Sequence, residues 1–167
     1  MTATPMHDFV GLSALLTGIA ADKLAPPLDP QDIKQVYFDW FQSRAGQDFD
    51  RLLALYAANA GQPDDTVATL ILDGSGDAMR YLARSLILAW YLGSWYDPAD
   101  LERAATTPPP RTGTPPPPNV VISAAAYTQG WAWRVAQAHP MGYSTFSFGY
   151  WSSLPPALDA IVGGASS

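Results

Sequence analysis

Cysteine is absent from the chain, which removes disulfides, thiolate catalysis and cysteine-based zinc or iron–sulfur ligation from it. That absence assigns no compartment. Charge is also scarce: Asp, Glu, Lys and Arg make up 14% of the residues, against roughly 25% in ordinary soluble domains. A chain of 167 residues is one ordinary domain with a real core, but it also has a large surface to hydrate. With so few charged groups to hydrate it, part of that surface is expected to be covered by something else. Basic residues are the scarcer sign, 9 against 15 acidic, for a net charge of −6. Nucleic acid and anionic membrane surfaces are accordingly poor partners. No apolar run approaches the ~20 residues that cross a bilayer, so no membrane span is expected. The N-terminal MTATPMHDF has neither a basic region nor a long apolar one, and no export signal is expected there.

Apolar residues, at 48%, dominate what is present. The chain is organised around Met79 to Gly93, MRYLARSLILAWYLG. From Leu86 to Leu92 every position is apolar, and because this run covers two helical turns, every face of such a helix is apolar. A helix of that kind must be covered all round, by its own fold or by a partner. Gly74, Gly76 and Asp77 mark its start and Gly93 its end.

The other segments read as shorter helices. Asp8 is placed to cap a first helix, FVGLSALLTG, with Phe9, Leu12 and Leu16 on one face and Gly18 at its end. After Pro26 and Pro27, Asp29 and Pro30 open an amphipathic helix. Its inward stripe is Ile33, Val36, Tyr37, Trp40 and Phe41. A third helix carries Phe49, Leu52, Leu53 and Tyr56 and stops near Gly61. A fourth, opened by Pro63 and Asp64, packs Val67, Leu70 and Ile71. Asp97-Pro98 starts one more, ending near Ala105.

The stretch TTPPPRTGTPPPP is a different material. Seven of its thirteen residues are proline, which favours extended polyproline II and forbids helix. Its plain reading is a solvated connector; a docking arm or an SH3-type ligand is the sharper one. From Asn119 to Ser167 the only formally charged side chains are Arg134 and Asp159. Ala124 to Ala138 has helical character, weakened by Gly130. From His139 onward the sequence has turn residues and no sustained period, and reads as an ordered aromatic coil. The final IVGGASS is expected to fray.

Catalytic chemistry is hard to find. His7 and His139 lie near opposite ends, and neither has a carboxylate at ligand spacing, so no metal site is expected. Asp64-Asp65 are helix-start residues, and Asp48 and Asp50 point to different sides, so neither pair forms an acid/base dyad. Asp73-Gly-Ser-Gly-Asp77 follows no strand and lacks the third glycine of a dinucleotide fingerprint; it reads as a helix-to-helix turn. The aromatic residues are the positive signal. Gly, Ser and Tyr beside Trp and Phe, without Lys or Glu, is the composition of an interface core. The residues singled out as partner-binding are Trp95, Tyr96, Trp131, Tyr143, Phe146, Phe148, Tyr150 and Trp151.

Three blocks carry a family resemblance. They are Phe9-Val-Gly-Leu-Ser-Ala-Leu-Leu-Thr-Gly18, Ile87-Leu-Ala-Trp-Tyr-Leu-Gly93, and Tyr127-Thr-Gln129 through Trp133 to Gly149-Tyr-Trp151 and Pro155. In their order and spacing, across nearly the whole chain, the sequence resembles the small accessory subunits of bacterial membrane-associated, flavin-dependent sugar and polyol dehydrogenases (sorbitol, fructose and glucose dehydrogenase complexes). The resemblance implies a subunit with no catalytic residue and no cofactor of its own. Its partner would be a large flavoprotein of the glucose–methanol–choline type, carrying the FAD, and a cytochrome subunit often takes the electrons. In that family the small subunit supports maturation and in many cases carries a twin-arginine export signal, and the complexes are typically periplasmic or membrane-associated. The chain departs from the family in lacking a twin-arginine segment and in a longer proline-rich insertion.

The expectation is thus a single all-α domain, built around a central apolar helix. It has a helical body over 6–105, a proline-rich connector over 106–118, an aromatic partner-binding segment over 119–157 and a tail over 158–167. Its expected role is that of a non-catalytic accessory subunit that binds and stabilises a large flavin-dependent sugar or alcohol dehydrogenase. The alternative is a stand-alone helical domain that binds a small apolar or aromatic ligand. An enzyme with dispersed polar residues has least support.

Overall fold

A computed structural model of the chain describes residues 4–106 and 117–136. They form a mostly helical, all-α domain with one very small sheet. The helices are α1 (Pro5–Thr17), α2 (Ala21–Leu24), α3 (Ile33–Asn59), α4 (Asp64–Thr69), α5 (Asp77–Leu92), α6 (Pro98–Thr106), α7 (Ala124–Gln129) and α8 (Trp131–Val135). A π-helical turn, Leu70–Gly74, follows α4. Strands β1 (Ser94–Tyr96) and β2 (Asn119–Val121) pair antiparallel, with Trp95 opposite Val120.

Local chemistry sets these boundaries. Thr4, rather than Asp8, caps α1: its hydroxyl accepts from the His7 N–H, and Asp8 falls in the first turn, where its charge suits the helix dipole. Gly18 ends α1 in the left-handed conformation, as its position implied. Asp29 does serve the start of α3, but from outside it. Its carboxylate accepts from the Gln31 N–H at 3.2 Å and the Ile33 N–H at 3.1 Å. Pro30 therefore precedes the helix, which opens at Ile33 after Asp32 turns left-handed at φ +45°. Asp tolerates that region better than most side chains.

The expected second and third helices both form within α3, which Gly46 divides with non-helical backbone at φ +42° and ψ −112°. That glycine allows one element to present two apolar faces. Ile33, Tyr37 and Phe41 are buried before the break, and Phe49, Leu52 and Leu53 after it. Val36 and Trp40 are only half-buried, so the inward stripe is narrower than the sequence spacing implied. The Asp73–Asp77 stretch is a helix-to-helix turn, and Arg80 ties it down. Its guanidinium donates to the Leu72 carbonyl at 2.6 Å and pairs with Asp77 at 2.6 Å.

The core sits where α1, α3 and α5 cross. Trp90 stacks on Phe9 with ring centroids 6.2 Å apart and meets Tyr37 edge-on at 4.6 Å. Phe41 joins Phe49 at 5.6 Å and Trp95 at 5.0 Å. Such ring pairs add about 0.5–1.5 kcal/mol each beyond the area they bury. Burial also raises the Tyr37 phenol well above its ordinary pKa, so it stays neutral. The Ser13 hydroxyl is an odd member of this core: it is fully buried and has no hydrogen-bond partner among the described residues. Ser13→Ala removes a desolvated polar atom and places the better helix former in α1. Its melting temperature is expected to equal or exceed that of the unsubstituted chain in a thermal scan. A fall of several degrees would mean that the hydroxyl is satisfied.

Candidate functional site

Residues 119–136 contribute to the same hydrophobic cluster as α1, α3 and α5. Ile122, Ala126 and Trp131 are all buried there. Two glycines make this packing feasible. Gly93 ends α5 left-handed at φ +65°, and a Cβ on it would lie 2.4 Å from the Ala126 carbonyl oxygen. A Cβ on Gly130 would lie 2.8 Å from the Tyr91 carbonyl oxygen. The backbones of α5 and the α7–α8 corner thus touch where side chains are missing. Gly130 also divides the helix expected over Ala124 to Ala138 into α7 and α8, with extended backbone between them at ψ 134°. Hydrogen bonds then pin the corner. The Ile122 N–H donates to the Gly93 carbonyl at 3.0 Å, and the Trp133 indole N–H to the Tyr127 carbonyl at 2.9 Å.

The eight residues singled out for partner binding divide by position. Trp95 lies in β1 and is buried against Phe41. Trp131 is buried in α8, with the Arg134 guanidinium 4.5 Å above its ring. Both indoles contribute to the chain's own core. Tyr96 is half-buried at the end of β1, where its carbonyl accepts from the Ser85 hydroxyl at 2.6 Å. Tyr143, Phe146, Phe148, Tyr150 and Trp151 lie outside the described residues.

The described apolar surface comes from residues that the sequence alone did not mark. Val120 and Val121 on β2 are each 49% exposed, and Val135 at the end of α8 is 42% exposed. Three-residue strands carry too little alternation to be found by period, so β2 left no signal beyond two adjacent valines. The outer stripe of α5 is incompletely covered as well. Tyr81, Leu82, Leu86, Ala89 and Trp90 are buried, but Ile87, Leu88, Tyr91 and Leu92 are half-buried. Tyr91 reaches across this stripe to donate to the Thr17 carbonyl at 2.9 Å, and burial raises its pKa. The all-apolar run of α5 is therefore enclosed on one side and partly open on the other.

No group of three His, Asp or Glu side chains among the described residues is placed to hold a metal ion. No helix among them is long and apolar enough to cross a membrane. The described residues include two open grooves. One, of about 470 Å³, lies between α1 and α4 against Gly11, Ala14, Tyr56, Asp64 and Asp65. Burial, with Asp64 and Asp8 nearby, raises the pKa of Tyr56 there. The other, of about 310 Å³, lies between α3, α5 and the start of α6. No protein-family model, curated protein or solved structure matches the chain.

Proposed function

We propose that this chain is a non-catalytic accessory subunit that binds and stabilises a large flavin-dependent sugar or alcohol dehydrogenase subunit. One observation carries the partner-binding half of that reading. The most apolar helix of the chain, α5, leaves Ile87, Leu88, Tyr91 and Leu92 half-buried, in a chain with only 14% charged residues. Exposed Val120, Val121 and Val135 add to the apolar surface. Apolar surface of this kind is what a permanent partner covers. The nature of the partner rests on the resemblance of the three sequence blocks. In this arrangement FAD resides in the large subunit, and the small subunit contributes burial.

Co-expression with a large flavoprotein of the glucose–methanol–choline type tests this. The two chains are expected to copurify in fixed ratio, and the small chain alone to show no flavin absorbance. Trp151→Ala, at a position outside the described residues, is expected to weaken the complex about thirtyfold, the usual cost of a truncated interface aromatic. Stoichiometric flavin on the small chain alone would overturn the division of roles. A complex that tolerates both Trp151→Ala and Val121→Lys would remove the surface proposed for contact.

A further inference from the structure

The groove between α3, α5 and α6 has an unusual combination of walls. Tyr81 and Trp95 line it and are only 6% and 5% exposed. Among the described residues neither the Tyr81 hydroxyl nor the Trp95 indole N–H has a hydrogen-bond partner, and neither is among the sealed orphan atoms of the core. Each buried ring thus brings a donor without a partner among the described residues to the lining of the groove. Around the rim stand the carboxylates of Asp48, Asp97 and Glu102 and one guanidinium, Arg44. Asp48 is already paired with Arg51 at 2.9 Å, and Arg44 lies over the Trp40 ring at 4.9 Å. Asp97 accepts from the Ala99 N–H at 2.9 Å, which caps α6, and among the described residues neither it nor Glu102 has an ion-pair partner. At about 310 Å³ the space is of the size that takes one side chain with its backbone.

We infer that this groove docks an extended, arginine-bearing segment of a protein partner. A backbone carbonyl of that segment accepts from Trp95 Nε1–H and the Tyr81 hydroxyl, satisfying two donors that the fold leaves idle. The guanidinium fork then reaches Asp97 and Glu102 together, a geometry that a single ammonium serves less well. Charge agrees with this choice, because the chain carries −6 and the unpaired rim groups are acidic. The inference extends the partner-binding reading, since it assumes that the chain has a protein partner at all.

The test titrates the full-length chain, without any flavoprotein, with N-acetyl-arginine amide and with its neutral counterpart N-acetyl-citrulline amide. Binding is read from NMR shifts of the Trp95 indole. The arginine probe is expected to bind about tenfold tighter than citrulline, a margin that shrinks as salt rises. The double variant Asp97→Asn, Glu102→Gln is expected to abolish that margin while keeping its melting temperature, because Asn still caps a helix. Tyr81→Phe is expected to weaken both probes alike by about threefold to tenfold, through the carbonyl contact. Equal affinity for the two probes, absence of binding, or an arginine preference that survives the double variant would each overturn the inference. None of these results bears on whether a flavoprotein copurifies, so failure of the groove and failure of the accessory-subunit reading are distinguishable.

Discussion

Gly93→Ala is expected to melt roughly 10 °C below the unsubstituted chain, at ~2–4 °C per kcal/mol for a protein of this size. Two costs combine. An alanine held left-handed at φ +65° is strained by about 1–2 kcal/mol. Its Cβ would also fall 2.4 Å from the Ala126 carbonyl oxygen and 2.5 Å from Tyr127 Cα, both backbone atoms that no rotamer change can move. Overpacking of this kind adds about 1–3 kcal/mol. Gly18→Ala is the matching control: its φ is +70°, but nothing lies within 4 Å of the added Cβ. It should show the backbone cost alone. If the two variants melt together, the corner of α7 and α8 does not press on the end of α5.

Trp90→Ala is expected to cost ~3–5 kcal/mol of folding stability, read as a lower urea midpoint with an unchanged slope. The indole is 2% exposed and touches the rings of Phe9 and Tyr37, so its loss opens a cavity at the crossing of α1, α3 and α5. A typical domain has only about 5–15 kcal/mol in total, so a large share of its stability would go. Trp40→Ala should cost distinctly less, about 1–2 kcal/mol, because half-buried Trp40 lies at the margin of the core. Equal losses at the two positions would contradict this view of the core.

The contrast between those two tryptophans shows what was legible in the sequence. Spacing placed both Tyr37 and Trp40 on an inward stripe, and that stripe does lie on a helix. It could not rank positions along the stripe, because depth depends on which neighbour arrives. Phe9 and Tyr37 enclose Trp90, whereas Arg44 lies over Trp40. The start of α6 at Asp97-Pro98 and the stop of α5 at Gly93 were readable, since capping is local chemistry. The two stripes read separately, Ile33 to Phe41 and Phe49 to Tyr56, stand on either side of the non-helical backbone at Gly46.

At the surface, the apolar signal was legible as composition but its location was not. Trp95 and Trp131 attract attention as aromatics, yet the fold turns both inward. The valines of β2 become exposed only because a three-residue ladder sets them beside β1. The groove at α6 was illegible for a related reason. Asp97 reads as a cap and Asp48 as a helix residue, and nothing local to either reveals that Tyr81 and Trp95 stand between them.

The pairing of β1 with β2 also bears on how freely this gene can change length. Tyr96 opposite Asn119 holds the two ends of the intervening chain, residues 97–118, at one position of the ladder. Between two clamped ends, doubling a loop costs only ~0.6 kcal/mol of closure entropy. On closure entropy alone, a change in the number of residues between Thr106 and Asn119 therefore costs little, so long as the ladder survives. Orthologues are accordingly expected to differ most in the length of this segment while keeping Gly93 and the small residue at position 126, where the two backbones meet.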